Sequence, residues 1–309
     1  MQIPRYAYDS PKALDMIKGG LPVVLSNGCP LVAKATDWSF ERLSELVLPS
    51  FEVDVYVSKT NRFMYHDASK NSGKYVFEPP TRKEALSFNQ FLSAIASREE
   101  KDGAAAEWHY LQTGVVAEMG AAMVNDYVSK FDLEYALLYK TLGEWDGFTS
   151  NLLLCGPQGA VTPLHFDEQQ NMFAQLHGHK RVRLFPPEAF PRLYPHPMTH
   201  PCDRQSQVTL PATPGSLELE REEDRQRFPA FAADTSPEHA ESFADLGPGD
   251  VLFVPQYWWH QMEGRLAWLG VTCVLGCFAL PCLALPCFSL TPLLPPPPHT
   301  YTPPPPLQR

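Results

Sequence analysis

The feature that most constrains this chain is His165-Phe166-Asp167, answered ninety-three residues later by His260 in Tyr257-Trp258-Trp259-His260. On a β-strand, residues i and i+2 point to the same side, so His165 and Asp167 can both face inward while Phe166 faces the other layer. His260 then has to arrive from a second strand, which demands a sheet that folds back on itself. Two imidazoles and one carboxylate brought together in this way form a facial triad, which grips a divalent ion by one face and leaves the opposite positions open. On ligand chemistry alone the set suits iron, and it also suits zinc or manganese. A His-x-Asp tripeptide is weak evidence by itself, because short polar runs recur by chance. The sequence around it is what strengthens the reading.

Lys180-Arg-Val-Arg-Leu-Phe185 alternates, with Val182 and Leu184 on one face and Arg181 and Arg183 on the other. Lys180 shares the apolar parity, so it is expected to point inward. A buried ammonium is costly unless paired, and no protein acid is obviously placed to pair with it, which makes a carboxylate ligand attractive. A lysine at a strand's frayed start, with its amine in solvent, is the plainer alternative. The distal His follows Gly247-Pro-Gly-Asp250, a turn signal, and Val251-Leu-Phe-Val254, which reads as a buried strand ended by Pro255.

These residues resemble the JmjC/cupin-type 2-oxoglutarate oxygenases, and within them most closely the asparaginyl hydroxylases of the factor-inhibiting-HIF branch. The resemblance is carried by Thr162-Pro-Leu-His165-Phe-Asp167-Glu-Gln-Gln-Asn171, Phe173-Ala-Gln, Gly178-His-Lys180, Leu184-Phe-Pro-Pro and His200-Pro-Cys-Asp-Arg-Gln-Ser-Gln207. Weaker similarity runs upstream through Phe63-Met-Tyr65 and Tyr110-Leu-Gln112, and downstream to about Thr272. The resemblance implies that His165, Asp167 and His260 bind Fe(II). It implies that Thr162, Lys180 and Tyr110 hold the distal carboxylate of the co-substrate 2-oxoglutarate, with Asn171 at its chelating end and O2 as oxidant. Tyr65, Gln112, Arg204 and Gln205 then match positions that line the substrate groove; on their own they read as a core tyrosine, a strand-edge amide and solvated loop polars. The implied activity is hydroxylation of asparagine at its β-carbon in hypoxia-inducible factor α and ankyrin-repeat proteins. A lysine demethylase of another JmjC branch is the weaker fit, given Arg204-Gln205.

The expected fold is mostly β, a double-stranded β-helix (jelly roll) with an N-terminal α/β extension. We divide the chain into an extension at 1–110, a barrel core at 111–274 and a tail at 275–309. With 44% hydrophobic residues, the chain can bury a sizeable core. Its formal charge of −10 argues against nucleic-acid binding, which needs basic patches. Met1-Gln-Ile-Pro-Arg lacks an apolar h-region, so no secretory signal is expected. Isolated Cys29, Cys155 and Cys202 suit reduced thiols in the cytoplasm or nucleus, and Cys273, Cys277, Cys282 and Cys287 lack paired C-x-x-C spacing for zinc.

In the N-terminal part, helices are expected over Ser10–Gly19 (Ser10 as N-cap), Ser39–Val47, Ser87–Ile95 and Ala117–Leu138, and strands over Pro22–Leu25 and Phe51–Val57. Between Val208 and Pro248 the sequence departs from the family, and Glu218-Leu-Glu-Arg-Glu-Glu-Asp-Arg225 reads as a solvated insertion. From about Cys273 a stronger departure begins. Eleven of the 32 prolines fall in the last 29 residues, so a PPII-like disordered tail foreign to the fold is expected. Leu266–Leu294 carries no charge, but Pro281 and Pro286 argue against a membrane-spanning helix there. The last barrel strand and the helices that pair subunits in this family are not recognisable, which leaves open a catalytically impaired substrate-binding protein.

Overall fold

Alternating and four-spaced apolar residues set the first elements. Strand β1 (Arg5–Ala7) leads into helix α1 (Pro11–Lys18), whose Ala13 and Ile17 sit one turn apart and are buried. Ser10 precedes α1 in an extended conformation but makes no side-chain cap, so Pro11 in the first turn marks the start. After β2 (Val23–Ser26), Ser39 caps α2 (Phe40–Leu46) by accepting from the Arg42 amide at 3.2 Å. Val53, Val55 and Val57 of β3 (Glu52–Ser58) are buried on one face. Then follow β4 (Arg82–Ser87), α3 (Phe88–Glu100) and β5 (Trp108–Gly114). The helix expected over Ala117–Leu138 is interrupted in its described part, and its positions past residue 131 lie outside the described residues. Gly120, at φ +108°, separates a 3₁₀ turn from α4 (Ala121–Lys130), and Phe131 leaves the helix extended.

The computed structural model describes residues 1–276 apart from 27, 28, 31, 36, 72, 101–105, 132–146 and 217. The expected proline-rich tail, with Cys277, Cys282 and Cys287, lies outside the described residues. Met1–Cys277 forms one compact unit. Strand β5 crosses the expected boundary at residue 110, because it pairs with strands on both sides of that boundary.

Eight further strands build the core: β6 (Gly147–Gly156), β7 (Val161–Phe166), β8 (Gln170–His177), β9 (Lys180–Phe185), β10 (Ser242–Leu246), β11 (Val251–Val254), β12 (Trp259–Gly264) and β13 (Trp268–Gly276). They pass back and forth between two sheets, with the consecutive strands β9 and β10 sharing the small one, in the pattern of a double-stranded β-helix. The large sheet runs β1-β2-β11-β8-β13-β6-β5-β3-β4 and the small one β10-β9-β12-β7. The expected loss of the last barrel strand is therefore corrected. Strand β13 is present and lies between β6 and β8, with antiparallel registers to both. No barrel edge is left unpaired there. Among the described residues no helix is long and apolar enough to cross a membrane.

Three apolar layers follow from this arrangement. Helices α1 to α4 cover the outer face of the large sheet through Ile17, Leu43, Phe91 and Met123. Between the sheets lie Leu154, Phe173, Val182, Leu184, Leu252, Met262 and Trp268. The third layer qualifies the reading of Glu218–Arg225 as solvated: its other residues are exposed, but Leu219 and Asp224 are buried. Leu210, Leu219, Phe228 and Phe231, partly on short helices α5 (Glu222–Arg227) and α6 (Pro229–Ala233), pack on Leu164, Phe185 and Trp259 of the small sheet. Arg183, on the outward parity of β9, is buried there against Glu241, with Nη2 donating to Oε2 at 2.8 Å. The exposed charges of this segment hid an apolar underside whose residues follow no regular period.

Candidate metal centre and adjoining cavity

His165 and His260 are direct cross-strand partners in the antiparallel pair β7–β12, so their side chains share a face. Their ring centroids lie 4.1 Å apart. Asp167 follows at i+2, just past the end of β7, and its backbone carbonyl accepts from the Tyr257 amide at 2.7 Å. The Asp167 carboxylate lies 4.0 Å from His165 Nε2 and 3.6 Å from His260 Nε2. One ligand atom from each residue falls within 4.8 Å of the other two, and this is the one such cluster of three or more candidate ligands among the described residues. Each imidazole is also oriented. His165 Nδ1 lies 2.8 Å from the Pro163 carbonyl and His260 Nδ1 3.0 Å from the Trp258 carbonyl. A carbonyl can only accept, so each Nδ1 carries the proton and each Nε2 keeps a lone pair facing the ion position.

Electrostatics favour the same state. Burial, with His165 beside it, pushes the His260 imidazole down to about 4, so it is neutral and ligand-ready at neutral pH. Burial alone would raise Asp167, but His165, His260 and Arg204, with a hydrogen bond from the Asn171 side chain, outweigh it and hold the carboxyl below its usual value.

A bulge explains a parity that strand periodicity does not. Between the His260–His165 and Met262–Thr162 partners, β12 has only Gln261 while β7 has Pro163 and Leu164. The extra residue turns Thr162 to the same interior as His165 despite their odd separation. There the Thr162 and Tyr110 hydroxyls share a hydrogen bond, and burial pushes the Tyr110 phenol well up. Lys180 faces the same interior, 1% exposed. Its Nζ meets Met262 Sδ at 3.7 Å and the faces of Trp268 and Phe173 at 3.3 and 4.7 Å from the ring centroids. No carboxylate pairs with it among the described residues, and burial pulls its pKa well below the usual lysine range. An ammonium so placed fits a carboxylate entering the cavity.

All eleven residues singled out from the sequence line one cavity of about 360 Å³. His165, Asp167, His260, Thr162, Tyr110, Lys180 and Asn171 line it, as do Tyr65, Gln112, Arg204 and Gln205. Tyr65 and Gln112 are exposed, whereas Gln205 is buried and donates its amide to the Tyr65 carbonyl. Arg204 sits at φ +63° and its carbonyl accepts from the Phe166 amide at 3.1 Å, coupling that loop to the triad strand. Sequence reasoning missed Met262, Phe173 and Trp268 around Lys180. It also missed Asp203, which lines the cavity and accepts from Lys70 Nζ at 2.6 Å. Phe173 lay within a motif already noted; Trp268 carried no local signal.

The sequence profile of the family described as the cupin-like domain matches residues 13–276. Among curated proteins, the chain is 40% identical over 191 residues to lysine-specific demethylase 8 of Danio rerio, covering 60% of this chain and 40% of that protein. It is 28% identical over 232 residues to HSPB1-associated protein 1 of Bos taurus, covering 74% of this chain and 43% of that protein. It is 26% identical over 186 residues to JmjC domain-containing protein D of Dictyostelium discoideum, covering 58% and 37%. The aligned part thus spans about two fifths of the length of these relatives.

Proposed function

Because the chain belongs to the cupin-like domain family, we propose that it is an Fe(II)- and 2-oxoglutarate-dependent oxygenase acting on protein substrates. The carrying observation is that an oriented two-histidine, one-carboxylate cluster shares one cavity with a buried lysine amine that has no carboxylate partner among the described residues. His165, Asp167 and His260 would hold the iron, and Lys180, Thr162 and Tyr110 the distal carboxylate of 2-oxoglutarate, with Asn171 near its other end. When bound, iron and 2-oxoglutarate supply the oxidising power to insert an oxygen atom from O2 into a substrate C–H bond.

The protein's own part is positioning and exclusion of water. The Nδ1–H bonds to backbone fix both imidazoles before any ion arrives. Phe173 and Met262, packed against Lys180, shield its amine from water, which strengthens its pairing with an anion. On the substrate side, Arg204, Gln205, Tyr65 and Gln112 offer hydrogen bonds to an extended peptide. Orientation of a reacting group contributes on the order of 7 kcal/mol or more to lowering a barrier in well-aligned cases.

The finer reading is hydroxylation of asparagine at its β-carbon, with hypoxia-inducible factor α and ankyrin-repeat proteins as substrates. Arg204 and Gln205 support it, since their guanidinium and amide suit a side-chain carboxamide. Demethylation of lysine is the second reading, favoured by the name of the Danio rerio relative. Buried thiols at Cys155 and Cys202, outside any disulfide, support a reducing compartment, cytoplasm and nucleus. One assay separates the readings. Purified protein with ferrous iron and 2-oxoglutarate is given an asparagine-containing ankyrin peptide and a methylated lysine peptide. Gain of one oxygen on the first supports asparaginyl hydroxylation. Loss of a methyl group from the second alone supports demethylation, and succinate release with neither product overturns both substrate assignments.

A further inference from the structure

Lys180 has an aromatic partner that the proposed chemistry does not use. Trp268 opens β13 opposite Gly156, its register partner in β6, and its side chain is 1% exposed. Two glycines make room for the indole. A Cβ at Gly264 would lie 2.6 Å from Trp268 Nε1, and one at Gly156 would lie 3.2 Å from the same atom, so any larger residue at Gly264 would displace the ring. The ring's face meets Lys180 Nζ at 3.3 Å, and Tyr110 lies 5.7 Å away, tilted by 52°. The indole N–H finds no hydrogen-bond partner among the described residues, so the ring's contribution to the site is made through its face.

From this geometry we infer that Trp268 is a positioning residue for the co-substrate, a cation–π platform that holds the Lys180 ammonium toward the cavity in place of a protein carboxylate. The inference rests on the reading of Lys180 as the anchor of a dicarboxylate. A carboxylate partner on the protein would satisfy the ammonium and compete with the incoming ligand. An aromatic face stabilises the same charge without occupying its hydrogen-bond donors. It also fixes the long lysine side chain, so less rotamer freedom is lost when the ligand binds. Phe173, at 4.7 Å, supports the charge from a second side.

The test is 2-oxoglutarate binding by calorimetry without oxygen, in the presence of Mn(II), for the wild-type chain, Trp268→Leu and Trp268→Phe. Mn(II) binding alone, measured first, reports whether each variant has kept the triad and its fold. We expect Trp268→Leu to bind Mn(II) normally but 2-oxoglutarate on the order of tenfold to thirtyfold more weakly. Trp268→Phe, which restores a ring face, should recover most of that loss. In turnover the leucine variant should show a raised KM for 2-oxoglutarate with little change in kcat. Unchanged or tighter 2-oxoglutarate binding by a Mn(II)-competent Trp268→Leu overturns the platform. So does equal weakening in the leucine and phenylalanine variants, which would assign Trp268 to packing alone. Should Trp268→Leu fail to bind Mn(II), the phenylalanine variant decides: near wild-type affinity supports the platform and a leucine-sized loss overturns it. Failure of the wild-type chain to bind 2-oxoglutarate while it binds Mn(II) overturns the underlying reading as well, and is distinguishable from the other outcomes.

Discussion

At the scale of single residues, the site is preset by backbone carbonyls. The Pro163 and Trp258 carbonyls each accept a hydrogen bond from the Nδ1–H of a triad imidazole, so His165 and His260 present Nε2 without rearrangement. Replacing His165 by alanine removes a ligand from a three-ligand set, and Mn(II) affinity should fall more than about a hundredfold, beyond what loss of an orienting partner costs. Titration by electron paramagnetic resonance checks this. His260 carries a pH signature. Its imidazole is held at about 4 in the folded chain, below its ordinary value, so the unfolded chain binds the extra proton first as pH falls. The apo protein should therefore lose stability between about pH 6.5 and pH 4, where the two states differ in protonation. Above that window the effect vanishes, and below it the full penalty is present. Denaturant melts across that range should show a shallower slope for His260→Asn than for the wild type. An equal slope would remove His260 from the account.

At the scale of elements, the hairpins and the insertion decide what reaches the cavity. Gly178, at φ +70°, turns β8 into β9 and puts Lys180 at the strand's first position. A Cβ there would overlap the Ala267 carbonyl oxygen, so Gly178→Ala should destabilise the fold through both strain and collision. Its thermal midpoint should fall well below that of an exposed-loop control such as Gly215→Ala, which also has positive φ but meets nothing within 4 Å. The insertion is pinned by the buried Arg183–Glu241 pair, whose acid also accepts from the Gly215 amide at 2.9 Å. Removing Glu241 alone strands a buried guanidinium and should cost about 3–5 kcal/mol by chemical denaturation. Replacing both partners by leucine and methionine should recover much of that loss. Strand parity made the triad and Lys180 legible, because His165, Asp167 and Lys180 obey period two. Thr162 does not, since the bulge at Pro163–Leu164 breaks the count, and only its surrounding motif pointed to it. The insertion was legible only in part: most of Glu218 to Arg225 is exposed as its charges suggest, while Leu219, Phe228 and Phe231 pack with the small sheet's apolar residues. Trp268 was illegible because its role depends on gaps left by Gly156 and Gly264 on other strands.

At the scale of the molecule, the eight core strands close around a cavity that both sheets and the loop of Arg204 line. Strand β13 is central to that closure, since it bridges β6 and β8. A chain ending at residue 277 should keep its fold and its Mn(II) affinity. One ending at residue 267 should lose both and aggregate, because β6 and β8 would expose unpaired edges. Circular dichroism and light scattering distinguish the two. The proposed activity requires one cation and one dicarboxylate to meet in this cavity. The most direct measurement is anaerobic addition of Fe(II) and then 2-oxoglutarate to the purified chain, followed by visible absorption. The account predicts a charge-transfer band that requires both additions, saturates at one iron per chain, and is absent in His165→Ala. A chain that binds iron yet gives no band with 2-oxoglutarate, or gives the same band without His165, would contradict it.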